Sequence, residues 1–409
     1  MPEAIVALGD GKRVVGRLRF QSDGRRQHSQ FEYAPGWLES ADRFALSPGL
    51  PLREGGHFAA ARGDRRTALA GCFQDAAPDS WGRALMTRAL GGGLTEFDFL
   101  TRSDDVTRHG ALRFLDAELR PLSHLSPPVP RLLELERLRQ LAHRFERNPD
   151  RDQREIQELA GVAGSLGGAR PKASVRGEGH LWMAKFTSAD DRRAVERAEI
   201  ATLELARQSG IRVPEARLEL ADSDSPIALI RRFDRRGTTR IPYLSARTAL
   251  ELTGTDPSHY TDIADVIRQV SARPRDDLDE LWNRIVFTVL VSNTDDHLQN
   301  HGFIYVGNGF WRLSPAFDIN PAPLRQRTLQ TGILEGEPFD ASLDLALAAA
   351  VFFGIDGGDA ERRAGRMARR LKRAWKPAFR AQGASSGDVR DYAAAFEHED
   401  MDKACRLKE

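Results

Sequence analysis

Residues 1 to about 60 alternate short apolar runs with turn residues: Ala4 to Leu8, Val14 to Phe20, Phe31 to Tyr33, and Leu46 to Leu52 with its Pro and Gly breaks. Such runs predict β-strands. The period changes at Asp79, where Asp-Ser-Trp-Gly-Arg-Ala-Leu-Met-Thr-Arg-Ala-Leu predicts a helix over 79–90 that stops at Gly91, Gly92 and Gly93. A further helix starts at Thr95. After Ala111 to Leu115 the chain enters Pro121, Pro127, Pro128 and Pro130, which can continue neither a helix nor a central strand, and a domain boundary is expected there.

Leu132 to Phe145 places leucines at helical spacing among Glu and Arg. Segment 161–187 reads as a hairpin, with Gly177-Glu-Gly as its turn and Leu181-Trp-Met-Ala-Lys-Phe as its second strand. Helix 192–209 follows and ends at Gly210, and Ala216 to Leu220 and Ile227 to Phe233 are strand-like. From about residue 246 the pattern is helical, over 246–253, 261–272, 277–291, 341–353, 359–375 and 387–397. The reading is an α+β chain with three parts: a mixed α/β amino-terminal domain (1–120), a small lobe with a glycine-rich hairpin (121–245), and a mainly helical lobe (246–409). The order strand, strand, helix, strand, strand in the middle part is that of a small kinase-like lobe, and the whole predicts a two-lobed protein-kinase-like fold.

Composition narrows the chemistry. The 409 residues suffice for two or three domains and a substantial core. Lys and Arg total 60 against 59 Asp and Glu, so no global charge draws the chain to nucleic acid or to an anionic membrane. Cys72 and Cys405 form no Cys-x-x-Cys spacing, which argues against a disulfide framework or a structural zinc and fits a reducing cytoplasm. The first ten residues do not read as a signal peptide, no run is long and apolar enough to span a bilayer, and a soluble protein is expected.

Lysine is scarce: only positions 12, 172, 185, 372, 376, 403 and 408 carry it. Lys172 and Lys185 are alone between Lys12 and Lys372, and both flank the glycine-rich hairpin. A compact ammonium suits phosphate oxygens in a closed pocket where a planar guanidinium does not fit. Drift under a compositional bias is the plain alternative.

The catalytic signal is Ser-Asn-Thr-Asp-Asp-His-Leu-Gln-Asn at 292–300, followed by Phe303 to Val306 and Phe310 to Leu313 as a hairpin turning at 307–309, and then Asp318. A carboxylate, four intervening residues, an Asn, a hairpin and a second carboxylate is the layout of a phosphotransferase centre. Asp295 would orient a hydroxyl and accept its proton, while Asn300 and Asp318 would supply hard oxygen ligands for magnesium. Surface Asp and Asn mostly make turns and caps. The apolar run Leu281 to Val291 and the third acidic position raise the catalytic reading above that.

Gly161, Gly164, Gly167 and Gly168 let backbone amides approach phosphates, although their spacing is neither a Walker sequence nor Gly-x-Gly-x-x-Gly, and an ordinary loop explains them too. Glu199 is a partner for Lys185 if the kinase pattern holds. Arg231 to Arg235 lies where a hinge with adenine-binding backbone groups belongs, or is a strand running into a charged turn. His297 and His301, spaced i, i+4, would bind a transition metal if helical, so a metal-dependent phosphohydrolase is the rival enzyme. Residues 361–376 form a basic helix with Met367, Leu371 and Trp375 on one face, read as a packed helix with a solvated charged side, or more sharply as a nucleic-acid contact.

Together these segments resemble the HipA-like serine/threonine kinases, toxin subunits of type II toxin-antitoxin systems. The resemblance rests on Phe73-Gln-Asp-Ala-Ala-Pro-Asp-Ser-Trp-Gly-Arg, Gly110-Ala-Leu-Arg-Phe, Ser165-Leu-Gly-Gly-Ala-Arg-Pro-Lys, Arg232-Phe-Asp-Arg, Thr294-Asp-Asp-His-Leu-Gln-Asn and Phe317-Asp-Ile. It implies ATP and magnesium as cofactors, Asp295 as base, and Asn300 and Asp318 as metal ligands. It further implies phosphate contacts from Lys185 and from Leu166, Gly167, Gly168, Ala169, Arg170, Pro171 and Lys172, and nucleotide contacts at Arg231, Arg232, Phe233 and His297. Ser165 matches the loop serine whose autophosphorylation silences such kinases. A helix-turn-helix antitoxin, operator DNA bound through it, and a translation-linked protein substrate such as an aminoacyl-tRNA synthetase are inherited from the resemblance. Asn293-Thr-Asp and Asp318-Ile-Asn replace the usual His-Arg-Asp and Asp-Phe-Gly, which argues against ordinary activation-loop control. A catalytically inactive scaffold that binds an antitoxin or DNA is the non-enzymatic alternative.

Overall fold

The computed structural model describes residues 1–23, 26–61, 67–123, 128–148, 152–163, 170–254 and 256–408. They divide into two compact units: Met1–Ala189 with Arg231–Asp256 and Ile304–Gly309, and Asp190–Ile230 with Pro257–Phe303 and Phe310–Glu409.

The first unit carries an antiparallel sheet of β1 (Glu3–Leu8), β2 (Arg13–Ser22), β3 (Gln27–Tyr33), β4 (Gly56–Ala60) and β5 (Leu112–Leu115), in the order β4-β3-β2-β1-β5. Val15, Leu18 and Phe20 on β2 and Phe31 and Tyr33 on β3 fill its buried side. Gly16 is required there, because a Cβ would sit 2.3 Å from the Glu32 carbonyl and 2.6 Å from the Phe31 ring. Leu46 to Leu52 is not a strand. The buried Tyr33 hydroxyl donates to the Leu50 carbonyl (2.5 Å) and accepts from the Leu46 amide (3.0 Å), so this stretch folds around one side chain and leaves its amides no ladder. Helix Ser80–Leu90 begins as its sequence predicts, with Asp79 accepting from the Gly82 amide, and Thr95 forms a capping box with Asp98 ahead of Glu96–Arg102.

Helices Gly71–Ala76 and Gln153–Ala163 are among those that escape the periodicity reading. The second places Gly161 in a helix, not in the loop expected for it. The hairpin follows as β6 (Lys172–Gly177) and β7 (His180–Phe186), with Glu178 and Gly179 at positive φ in the turn.

In the second unit, Pro274–Val291 is an 18-residue helix with Pro in its first turn, Asp276 and Asp277 at its positive end, and Leu281, Trp282, Ile285, Val286, Leu290 and Val291 buried. It stops at Ser292, whose φ is +54°. Helix Gly357–Ala381 runs past the expected end at 375 and contains Pro377. The buried Trp375 and Phe379 faces hold it together there, with Trp375 stacked on Phe396 at 4.8 Å between ring centroids. Several of its basic residues are occupied: Arg370 donates to the Gln208 carbonyl, the half-buried Arg369 to the Cys405 and Leu407 carbonyls, and Lys372 pairs with Asp402. No helix among the described residues is long and apolar enough to cross a membrane.

Candidate active site

The segment 292–300 leaves the buried helix end at Ser292 and is fastened along its length. The Asn293 carboxamide oxygen accepts from the Asn320 amide (3.2 Å), and the Ser292 carbonyl accepts from the Ala322 amide (2.9 Å). These two bonds tie the segment to the stretch that carries Asp318. The Thr294 carbonyl accepts from the Gln330 amide, and the Asp296 carbonyl from the Thr331 hydroxyl (2.7 Å). Asp295 is exposed in this frame, as is Gln299. Partial loss of water raises its carboxyl above the ordinary value; His297 pulls it down, and the charges of Asp318 and Asp296 push it further up.

Asn300 is buried at the end of a short 3-10 turn, Leu298–Asn300. Its Nδ2 donates to the Asp295 carbonyl (3.0 Å), which turns the amide oxygen away from the backbone it braces. Asp318 adopts φ +56°, an uncommon conformation for a residue with a side chain, and its Oδ1 accepts from Asn320 Nδ2 at 2.9 Å. One amide oxygen and one carboxylate are a donor set for a hard ion that keeps waters and phosphate oxygens among its ligands, as magnesium does. Among the described residues no group of three His, Cys, Asp or Glu could hold a metal ion. His297 and His301 do not share a helical face: both have extended backbones at the ends of the 3-10 turn, so the condition for a transition-metal pair is not met.

In the first unit, Lys172 and Lys185 lie directly opposite each other in the β6–β7 register and are 2% and 6% exposed. The Lys172 ammonium sits 3.0 Å from Asp79 Oδ2, so the residue that caps the helix also neutralises this lysine. Arg232 is likewise engaged. It grips Asp234 through Nε (2.9 Å) and Nη2 (2.6 Å) and donates from Nη1 to the Thr107 carbonyl (2.5 Å). Asp234 also accepts from the Gly110 amide and Arg235, and these cations outweigh burial and hold its carboxyl well below the usual range. A nucleotide contact at 231–233 therefore falls to the backbone or to the half-buried Arg231 and Phe233, not to the Arg232 guanidinium. Arg170 and Pro171 precede the hairpin. Ser165, Leu166, Gly167, Gly168 and Ala169 lie outside the described residues. Glu199, the suggested partner of Lys185, is buried on helix Val195–Gln208 of the second unit.

Sequence reasoning missed Asp296, Asn320 and Tyr260. Nothing in the Asp-Asp doublet says which carboxylate faces inward, and Asn320 acts through a contact with a residue 27 positions earlier.

The family model described as the HipA-like C-terminal domain matches residues 164–375, and that of the HipA N-terminal domain matches residues 6–112. The chain belongs to the HipA-like family. HipA of Shewanella oneidensis, solved with HipB and its operator DNA, superimposes with a TM-score of 0.72 at 17% identity, over 98% of this chain and 96% of that one. This establishes the α+β HipA fold that the resemblance predicted. A protein of Sinorhizobium fredii named "Putative kinase Y4dM" is 31% identical over 164 residues, 35% of this chain, and the match spans only 38% of that relative's length.

Proposed function

We propose that this HipA-like chain is an ATP- and magnesium-dependent serine/threonine protein kinase, the toxin of a toxin-antitoxin pair. The observation that carries the reading is the exposed Asp295 braced by the side chain of Asn300, on a segment tied to that of Asp318. In this reading Asp295 orients the acceptor hydroxyl and takes its proton. Asn300 and Asp318 hold the metal, and Lys185 with the 166–172 loop meets the phosphates. Arg231, Phe233 and His297 contact the nucleoside. Magnesium-ATP, when bound, supplies the transferable phosphoryl group and offsets its charge. Ser165 is the autophosphorylation site that silences the enzyme.

By analogy with the Shewanella oneidensis assembly, a helix-turn-helix antitoxin and, through it, operator DNA are the partners. The substrate is a translation-linked protein such as an aminoacyl-tRNA synthetase, and the compartment is the cytoplasm.

The test is incubation of the chain with labelled ATP and magnesium. Label transferred to protein, lost in Asp295→Asn with nucleotide binding retained, supports the kinase. Asp318→Asn is expected instead to weaken magnesium-dependent nucleotide binding. Release of free phosphate without transfer would favour a phosphohydrolase, and neither outcome would leave a binding scaffold.

A further inference from the structure

Asp295 and Asp296 are neighbours with opposite fates. Asp296 is 5% exposed and points into the second unit, where the Tyr260 hydroxyl and the Thr288 hydroxyl (3.3 Å) donate to its Oδ2. His301, 3% exposed, brings Nε2 to 3.1 Å from Asp296 Oδ1, an ion-pair distance that lies off the line of a hydrogen bond. The Tyr260 ring packs edge-on against the His301 imidazole, centroids 5.4 Å apart. Asn300, Asn293, Asp296 and His301 also line one small cavity of about 10 Å³.

We infer that Asp296 and His301 form a buried positioning pair that fixes the 292–300 segment with Asp295 outward and Asn300 beneath it, an inference that rests on reading Asp295 as the base. Thr294 and Asp295 lie in a turn, and the His297 amide donates back to the Asp295 carbonyl (3.0 Å), so the tight backbone that holds Asp296 inward leaves Asp295 outward. The rest of the unit has its own charge cluster around the buried Asp277, which pairs with Arg312 and with the more exposed Arg212. The contacts of Asp296 instead fasten the nine-residue segment that carries the candidate base and one metal ligand to Tyr260, Thr288 and His301 outside it. A buried charge stripped of its partner is costly, so each member depends on the other.

Asp296→Asn and His301→Gln are expected to lower kcat by at least about tenfold, because small misplacement of a reacting group is expensive, while KM for ATP stays within about twofold. The double variant, with a neutral pair, should be no worse than either single one. Tyr260→Phe, which deletes one hydroxyl and keeps the ring, should give a smaller fall in kcat in a folded protein. Amide hydrogen exchange across 292–300 should quicken in the single variants and not elsewhere. Wild-type kcat in both single variants, a loss confined to KM, additive losses in the double variant, or unchanged exchange at 292–300 would overturn the inference. Absence of transfer by the wild type would instead overturn the kinase reading, and the exchange measurement would still decide the pair.

Discussion

Arg232 in the first unit and Asp295 in the second both sit in short charged runs, and the two units use them in opposite ways. The Arg232 guanidinium is spent on Asp234 and on backbone carbonyls, so its charge is consumed by the fold. Asp295 has its neighbours fastened and its own carboxylate left outward. A charged motif is therefore read by asking which of its members the surrounding backbone already holds. By that measure Lys172 and Arg232 are held by the fold, whereas the Asp295 carboxylate faces outward.

The comparison breaks most readily at Asp234. Its replacement by Ala leaves Arg232 and Arg235 buried against each other and should destabilise the protein by about 3–5 kcal/mol in denaturant titration. A loss below about 1 kcal/mol would show that Arg232 is available for ligand after all. Asp295→Asn should do the reverse, lowering phosphoryl transfer by about 10²–10⁴-fold while leaving the unfolding midpoint in place.

The pH dependence sharpens the contrast between the units. Burial pushes the Asp75 carboxyl up to about 6 even though the Ser245 amide and hydroxyl donate to it. The ordinary value is 3.8, so between there and about 6 the folded chain keeps a proton that the unfolded chain has released. The stability from this group is full below the lower value and is lost as pH rises through the higher one, by at most about 3 kcal/mol. Asp75→Asn keeps a donor and an acceptor for Ser245 and should flatten that part of the stability profile. Asp296 has the opposite sign: burial alone would raise it, but His301, Tyr260 and Thr288 outweigh burial, so its contribution is lost only as pH falls below the ordinary carboxylate range.

The smallest expected effect is at the basic helix. Reversing Arg366 and Arg373, which lie on the exposed side, should change stability by less than about 0.5 kcal/mol. If the kinase-antitoxin complex binds DNA through this face, its affinity would fall and the salt dependence become shallower. Unchanged affinity returns the helix to a solvated surface.

Much of the local structure was legible. Asp79, Thr95, the Gly177 to Gly179 turn and the apolar run before Ser292 each announce an element through chemistry within a few residues. The expectation that Asp295, Asn300 and Asp318 act together rests on their spacing alone. What could not be read was commitment over long separations. Lys172 meets an acid 93 positions earlier, and Arg232 meets a carbonyl 125 positions earlier. Leu46 to Leu52 has the composition of a strand, and only the buried Tyr33 hydroxyl explains why it is none.

The facing lysines of the β6–β7 hairpin bear on the order in which the first unit assembles. Two ammonium groups opposed across neighbouring strands repel one another, and they face at the open end of the hairpin, whereas the pairs nearest the turn, Arg176 with Leu181 and Gly177 with His180, do not include them. The counter-charge at Asp79 arrives only when a helix start 93 residues upstream has docked. The open end of the strand pair is thus expected to close after its turn end, a difference that amide exchange during refolding would check.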